Sequence, residues 1–390
     1  MLSADLKLCL VTFPVGGGGE GHVLVENFLH VLEPLTREIY LITGNYPDSA
    51  IFSLKIHLRN IKHDSKRQSL LIRIPKYVVT QLRISYNLAR VANEIDIVIF
   101  FIGGALLLPM LTAKLLRKKT VLVVTGSGFE SAEQQYKESP FGRVILPSTL
   151  AVLEGLTDRL ANRIVVYSPS LVHQSGLQKY KRKISIAHRH FLDFDKFKIQ
   201  RRLSERENVV GYIGRLSAEK GILNFVRAIP RILEGREEIE FPIAGDGRLQ
   251  DEIEKYINDE SLSSKVKLRG WIPHDEIPGY LNELRLLVLP SYTEGLPNVM
   301  LEAMACGTPV LATPVGAVPD VIKDGETGFI MENNSPECIA RNVIRVLEHL
   351  RFEEIADNAY NLVNREFTYE RAVGKYRQIL GHLSSGGHYD

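Results

Sequence analysis

The chain has 390 residues, 45% hydrophobic and 24% charged, with a formal net charge of +2. That balance fits an ordinary globular protein of two domains at about 150 residues each, and it excludes a collagenous, low-complexity or largely disordered chain. Three scattered cysteines (Cys9, Cys306 and Cys338) are too few for a disulfide framework or a zinc site and suggest a reducing compartment.

Residues 1–15 lack the cationic start, apolar run and small-residue cleavage site of a secretory signal, so none is expected. In the first half, apolar runs at 7–13, 38–43, 97–102, 120–125 and 163–167 read as strands. Helical patterns at 22–35 and 76–94 lie between them. The longest apolar stretch, 97–113, contains Gly103-Gly104 and Pro109 and is short of the roughly 20 residues of a membrane span. A buried strand, a glycine turn and a helix account for it, and no transmembrane helix is expected. In the second half, strands are expected at 209–213, 240–244, 265–268, 286–289 and 309–313. Helices are expected at 220–233, 249–259, 298–305 and 336–350.

Strands that are continuously apolar rather than alternating imply sheets covered on both faces, hence parallel and doubly wound. Two such sets predict an α/β chain of two Rossmann-like domains facing each other across a cleft. The expected organisation is a first domain over 1–190, a linker over 191–207 and a second domain over 208–367. A last helix and tail over 368–390 would follow, the helix packing back toward the first domain.

Motifs follow the ends of these strands. Pro14-Val15-Gly16-Gly17-Gly18-Gly19-Glu20-Gly21-His22 opens a helix, and such a glycine run lets backbone approach a diphosphate. It lacks the spacing of a nicotinamide-binding fingerprint. His22 reads equally as a ligand or as a helix-face residue.

Strand 209–213 runs into Gly214-Arg215-Leu216-Ser217-Ala218-Glu219-Lys220-Gly221. Arg215 could clamp phosphate oxygens with Lys220 as a point charge beside it, or both could be surface cations flanking a helix. Ala244-Gly245-Asp246-Gly247 is a turn after another strand. After strand 286–289 come Glu294, Gly295, Leu296, Pro297, Asn298 and Val299, with Glu302 eight residues beyond Glu294. Pro297 suits a first helical position, and free amides from Gly295 to Val299 would form an anion site. Glu302 is either a carboxylate for sugar hydroxyls or a solvent-facing helical glutamate. Trp271, the only tryptophan, lies in the turn after strand 265–268 and reads as a rim or core aromatic.

Asp193-Phe194-Asp195 has the spacing of a metal-binding pair but sits in the linker, where a structural role is expected. Between Lys55 and Thr120 there are thirteen Lys and Arg against three acids (Asp64, Glu94 and Asp96), a local excess of ten. Lys76, Arg83 and Arg90 recur every seven residues, with Val78, Leu82, Tyr86 and Ala89 beside them. This helix is either a solvated surface helix packed on the sheet or a basic face for anionic lipid. No nucleic-acid motif accompanies the charge.

Taken together, G-R-L-x-x-x-K-G (214–221), G-D-G (245–247) and E-G-x-P-x-x-x-x-E (294–302), continued by Ala303-Met304-Ala305-Cys306-Gly307-Thr308-Pro309-Val310, resemble glycosyltransferase family four. These are retaining GT-B-fold sugar-nucleotide transferases, and the resemblance is concentrated in 208–329. It implies transfer of a hexose or N-acetylhexosamine from a nucleotide-diphosphate sugar. Arg215, Lys220 and Glu294 would be catalytic. Gly17, Gly18, Gly214, Gly245, Ile272, Gly295, Leu296, Asn298, Val299 and Glu302 would bind the donor, with the base near Trp271-Ile272. His22, Ser127 and Glu130 would lie on the acceptor or sugar side.

The sequence departs from the family at Thr125-Gly126-Ser127-Gly128, where many relatives carry a histidine. Arg and Lys can neutralise the diphosphate, so no obligatory metal or other cofactor is expected. A cytoplasmic enzyme of polysaccharide or glycolipid synthesis is expected, with the basic stretch 55–120 as the basis for a peripheral membrane contact and for an acceptor that is lipid-linked or a glycan. A sugar-nucleotide epimerase and a non-catalytic carbohydrate-binding protein of the same architecture stay open.

Overall fold

The computed structural model describes residues 5–14, 20–61, 70–102, 105–125 and 140–385. The chain divides into two compact units, Met1–His190 with Tyr369–Asp390, and Phe191–Thr368.

The first unit carries strands β1 (Lys7–Thr12), β2 (Glu38–Gly44), β3 (Ile56–Ile61), β4 (Ile97–Phe101), β5 (Lys119–Val124), β6 (Arg163–Val166) and β7 (Ile184–Ile186). They form one seven-stranded sheet in the order β3-β2-β1-β4-β5-β6-β7, every neighbouring pair parallel. Its helices are α1 (Glu20–Leu32), α2 (Leu70–Val91), α3 (Leu107–Leu115), α4 (Pro140–Leu160) and α5 (Pro169–Gln174). The central strands are buried along nearly their whole length, as a sheet covered on both faces requires.

The edge strands β3 and β7 differ from the sequence reading, which contains neither. β3 (Ile56-His57-Leu58-Arg59-Asn60-Ile61) buries only its two end residues, so it carries no continuous apolar run. Helix α2 also begins earlier than expected, at Leu70, and holds Pro75 within its second turn. It packs through Thr80, Gln81, Ile84, Leu88 and Val91, while Val78, Leu82 and Tyr86 are exposed.

The second unit carries β8 (Val210–Ile213), β9 (Phe241–Ala244), β10 (Val266–Gly270), β11 (Leu286–Leu289), β12 (Val310–Ala312) and β13 (Phe329–Ile330). Their order is β10-β9-β8-β11-β12-β13, again parallel throughout. Its helices are α6 (Ile222–Gly235), α7 (Gln250–Asp259), α8 (Ile277–Glu283), α9 (Asn298–Ala305), α10 (Val318–Val321), α11 (Pro336–Leu347) and α12 (Phe352–Glu366). Phe225, Phe241, Ile243, Val288 and Phe329 form the middle of its apolar core.

Residues 191–207 pack within this unit. Phe197 and Leu203 are buried, and so is the Arg206 guanidinium, which donates to the carbonyls of Arg201, Leu284 and Cys306 at 2.6–3.1 Å and to Thr308 Oγ1 at 2.7 Å. Asp193 Oδ1 accepts from the amides of Asp195 and Lys196 at 3.0 and 3.2 Å, a local turn closed by its own carboxylate. The last helix, α13 (Tyr369–Ser384), packs on α1 in the first unit.

In the second sheet the chain winds outward in one direction through β8, β9 and β10 and in the other through β11, β12 and β13. The reversal lies between β8 and β11, and a doubly wound sheet offers its ligand crevice beyond the carboxyl ends of such a pair.

Candidate active site

The loops leaving β8 and β11 meet at this reversal. The Gly214 amide donates to Ala244 O at 3.0 Å and the Leu216 amide to Asp246 O at 2.7 Å, which ties the β8 exit to the β9 exit. A Cβ on Gly245 would lie 1.9 Å from Gly214 O, so this approach requires glycine. Gly221 has φ +67°, and a Cβ there would lie 2.0 Å from Pro290 O, which clamps the start of α6 against the end of β11. The Tyr292 amide donates to Glu219 O at 2.9 Å and completes the link.

The charged side chains of both loops gather here. Lys220 Nζ lies 2.6 Å from Glu294 Oε1, and Ser291 Oγ donates to the same oxygen at 2.8 Å. Arg215 Nη1 lies 3.4 Å from Glu219 Oε1, which also accepts from Ser217 Oγ at 2.7 Å. Burial alone would raise the Glu219 carboxyl. The Ser217 hydroxyl, its own backbone amide and the Arg215 and Lys220 charges outweigh that and hold it below the ordinary value. The Tyr212 hydroxyl donates to Arg215 O at 2.8 Å; this phenol senses Glu294, Glu219 and Arg215 together, and burial raises its pKa. Lys220 and Glu294 are largely covered, whereas Arg215 is half exposed.

Helix α9 starts beside these groups. Pro297 stands one position earlier than expected, as the N-cap, with no side chain capping the helix. Among the described residues, the amides of Gly295, Leu296, Asn298 and Val299 donate to no other backbone group. They therefore remain available to an anion at the positive end of the helix. The segment is braced from behind: Thr313 Oγ1 donates to Ser291 O at 2.5 Å and the Ala317 amide to Gly295 O at 2.7 Å.

Glu302 is only 7% exposed, which removes the alternative of a solvent-facing helical glutamate. Its Oε1 lies 3.3 Å from His274 Nε2, and Lys196 Nζ lies 2.8 Å from the other ring nitrogen of His274. His274 was not legible in the sequence as a site residue. Its one signal is its place in the turn after β10, three residues beyond Trp271.

Arg215, Lys220, Glu294 and the α9 start thus come together, with Glu302 further along the same helix and Gly214 and Gly245 at adjoining strand ends. Ile272 lies in the turn after β10, Leu296 is buried, and Trp271 is 65% exposed, a rim position. Gly17, Gly18, Ser127 and Glu130 lie outside the described residues, as do Gly126 and Gly128. His22 belongs to α1 of the first unit, its ring edge-on to Tyr46 at 5.5 Å. Among the described residues, no three His, Cys, Asp or Glu side chains converge as a metal site would require.

Residues 193–361 match the family model for glycosyl transferases group 1. An uncharacterized glycosyltransferase of Methanocaldococcus jannaschii is 25% identical over 97% of this chain and 99% of its own length. The alpha-D-kanosaminyltransferase of Streptomyces kanamyceticus is 29% identical over 71% of this chain and 75% of its own. Among solved structures, Anabaena Alr3699/HepE in complex with UDP superposes with a TM-score of 0.74 at 18% identity, covering 97% of this chain and all of that one. The sucrose-phosphate synthase of Thermosynechococcus elongatus does so with a TM-score of 0.75 at 18% identity, covering 98% of this chain and all of that one. The fold is GT-B, and the chain is a glycosyltransferase, an enzyme that transfers sugars.

Proposed function

We propose that this glycosyltransferase is a retaining enzyme of family four that moves a hexose or N-acetylhexosamine from a nucleoside-diphosphate sugar to an acceptor. One observation carries the reading: Arg215, Lys220 and the uncapped start of α9 lie together where the second sheet reverses direction. A diphosphate requires countercharge and hydrogen-bond donors, and both are supplied there. The structural likeness to Alr3699/HepE, solved with UDP and with UDP-glucose, supports a nucleotide-sugar donor.

In this reading the bond between the anomeric carbon and the phosphate oxygen breaks, the acceptor oxygen bonds to that carbon on the same face, and the acceptor's proton passes to the departing diphosphate. Negative charge grows on the departing diphosphate, where Arg215 and Lys220 stabilise it more in the transition state than in the ground state. Glu294 orients Lys220 and accepts from sugar hydroxyls, the α9 amides hold the distal phosphate, and Glu302 accepts from the ribose. Within the second unit, Gly214, Gly245 and Ile272 complete the donor contacts.

With two cations at the leaving group, a divalent metal is dispensable. Donor turnover in excess EDTA should equal that in magnesium, and the first-formed product should keep the donor's anomeric configuration by proton NMR. Activity that requires magnesium, or an inverted product, would contradict the reading.

The acceptor is proposed to be presented at a membrane on its cytoplasmic side. No helix among the described residues is long and apolar enough to cross a membrane. Helix α2 instead turns Ile74, Val78, Leu82 and Tyr86 outward, with Leu82 54% and Tyr86 64% exposed, and Arg83 and Arg90 also exposed on it. On the neighbouring α3 and α4, Leu115 and Val152 are exposed as well. Outward apolar side chains beside basic ones suit an anionic bilayer surface. The protein should sediment with anionic vesicles and stay in solution with neutral ones, and Leu82→Glu with Tyr86→Glu should abolish the difference. Equal sedimentation with both vesicle types would refute the membrane contact.

A further inference from the structure

The first unit buries a cationic cluster that the transfer reaction does not use. Arg189 and His190, on the segment after β7, are each 4% exposed. Around them stand Tyr167, immediately after β6, and Tyr376 on α13, both buried, with Phe101 at the end of β4. The guanidinium carbon of Arg189 lies 5.8 Å from the Phe101 ring centroid, and the Tyr167 and His190 rings meet edge-on at 4.8 Å. Phe28 closes the far side, 4.8 Å from Phe101 and 5.0 Å from Tyr376.

Five buried polar atoms in this cluster, Arg189 Nε and Nη1, Tyr167 OH, Tyr376 OH and His190 Nδ1, make no hydrogen bond of good geometry, Tyr167 OH facing only the Arg189 guanidinium. Buried polar groups are ordinarily satisfied, so five in one cluster demand an explanation.

His188 lies next to His190, with Lys375 Nζ 3.5 Å from its ring, and no carboxylate among the described residues pairs with Arg189. Burial, then the Arg189 and His188 charges, push His190 well below its ordinary pKa, so its ring is neutral. Burial raises both phenols, which keeps them protonated and able to donate. The fixed charge at the centre is therefore the Arg189 guanidinium, ringed by hydroxyl and ring N–H donors. Water could satisfy the hydrogen bonds but not the charge, whereas a small anion does both.

We propose that Arg189, Tyr167, Tyr376 and His190 form an internal binding site for a small monovalent anion of halide size. All four side chains are covered, which excludes a large organic anion. The donor set fixes the sign, because each of these atoms can donate.

The test compares thermal unfolding of the full chain in chloride and in gluconate at equal ionic strength, gluconate being too large to enter. A ligand that binds only the folded state raises the midpoint in a saturable, concentration-dependent way. Wild type should show that rise with chloride and bromide and none with gluconate, and Arg189→Met should lose the difference. Equal midpoints in the two salts, or the full chloride effect retained in Arg189→Met, would overturn the proposal. Should Arg189→Met fail to fold, Tyr167→Phe keeps the charge and removes one donor. It should shift the chloride dependence to higher concentration, and an unchanged dependence would count against the site. Crystals soaked in bromide should show an anomalous peak within hydrogen-bonding distance of Arg189; no peak there would be equally decisive.

Discussion

Lys220→Ala should lower turnover of the donor sugar by about 10²–10³-fold, some 3–4 kcal/mol of lost transition-state stabilisation. The expectation follows from where the ammonium sits. Lys220 is held 2.6 Å from Glu294 Oε1 beside the free start of α9, so its charge is in place before the leaving diphosphate develops its own. Donor affinity should fall far less than kcat, because the interaction strengthens as the bond breaks. Lys220→Arg should not restore the rate, since a planar fork cannot reproduce a compact charge on the same carboxylate. Arg227→Ala, at an exposed ion pair with Glu252, should leave turnover unchanged. A Lys220→Ala enzyme with wild-type kcat would remove Lys220 from the mechanism.

Arg206→Met should cost about 3–5 kcal/mol of stability. The buried guanidinium is a junction: besides the carbonyls of Arg201, Leu284 and Cys306 and the Thr308 hydroxyl, it reaches Leu281 O at 3.3 Å and Asn282 Oδ1 at 3.4 Å. Removing it strands several buried acceptors at once. Two of them, Cys306 O and Thr308 Oγ1, directly follow α9, the helix that carries Glu302. Arg206→Met should therefore weaken donor binding as well as stability, although Arg206 belongs to neither loop of the site. Arg206→Lys should rescue little, because one ammonium cannot span acceptors on three separate segments. Hydrogen exchange should show early opening confined to the second unit. Loss of stability in the first unit instead, or none at all, would refute this role.

How much of this was legible in the sequence depended on what each residue must satisfy. Strands such as β4 and β11, buried on both faces, must be apolar at every position and announce themselves. Edge strands need not: β3 carries His57, Arg59 and Asn60 on exposed positions and reads as loop until its pairing with β2 is seen. Arg215, Lys220 and Glu294 stood out because each lies where a strand runs into a loop or helix, and Glu302 through its spacing from Glu294, both local patterns. The partners that hold them do not. His274 and Ser291 gain their significance only from the side chains they face, Glu302 and Glu294, and Glu219 from the two cations around it.

Helix α2 shows the limit of periodicity. Its spacing fixed two faces but not which one turned inward. The sheet took the narrower stripe of Ile84, Leu88 and Val91 with Thr80 and Gln81, leaving the more conspicuous Val78, Leu82 and Tyr86 outside.

The loops at the reversal of the second sheet are proposed to hold a nucleoside diphosphate. Hydrogen–deuterium exchange with and without nucleoside diphosphates, followed peptide by peptide, tests it most directly. One of the nucleotides should protect residues 214–221 and 291–302, and Lys220→Ala should weaken that protection. Protection that falls elsewhere in the chain, or none with any nucleoside diphosphate, would contradict the assignment of the site.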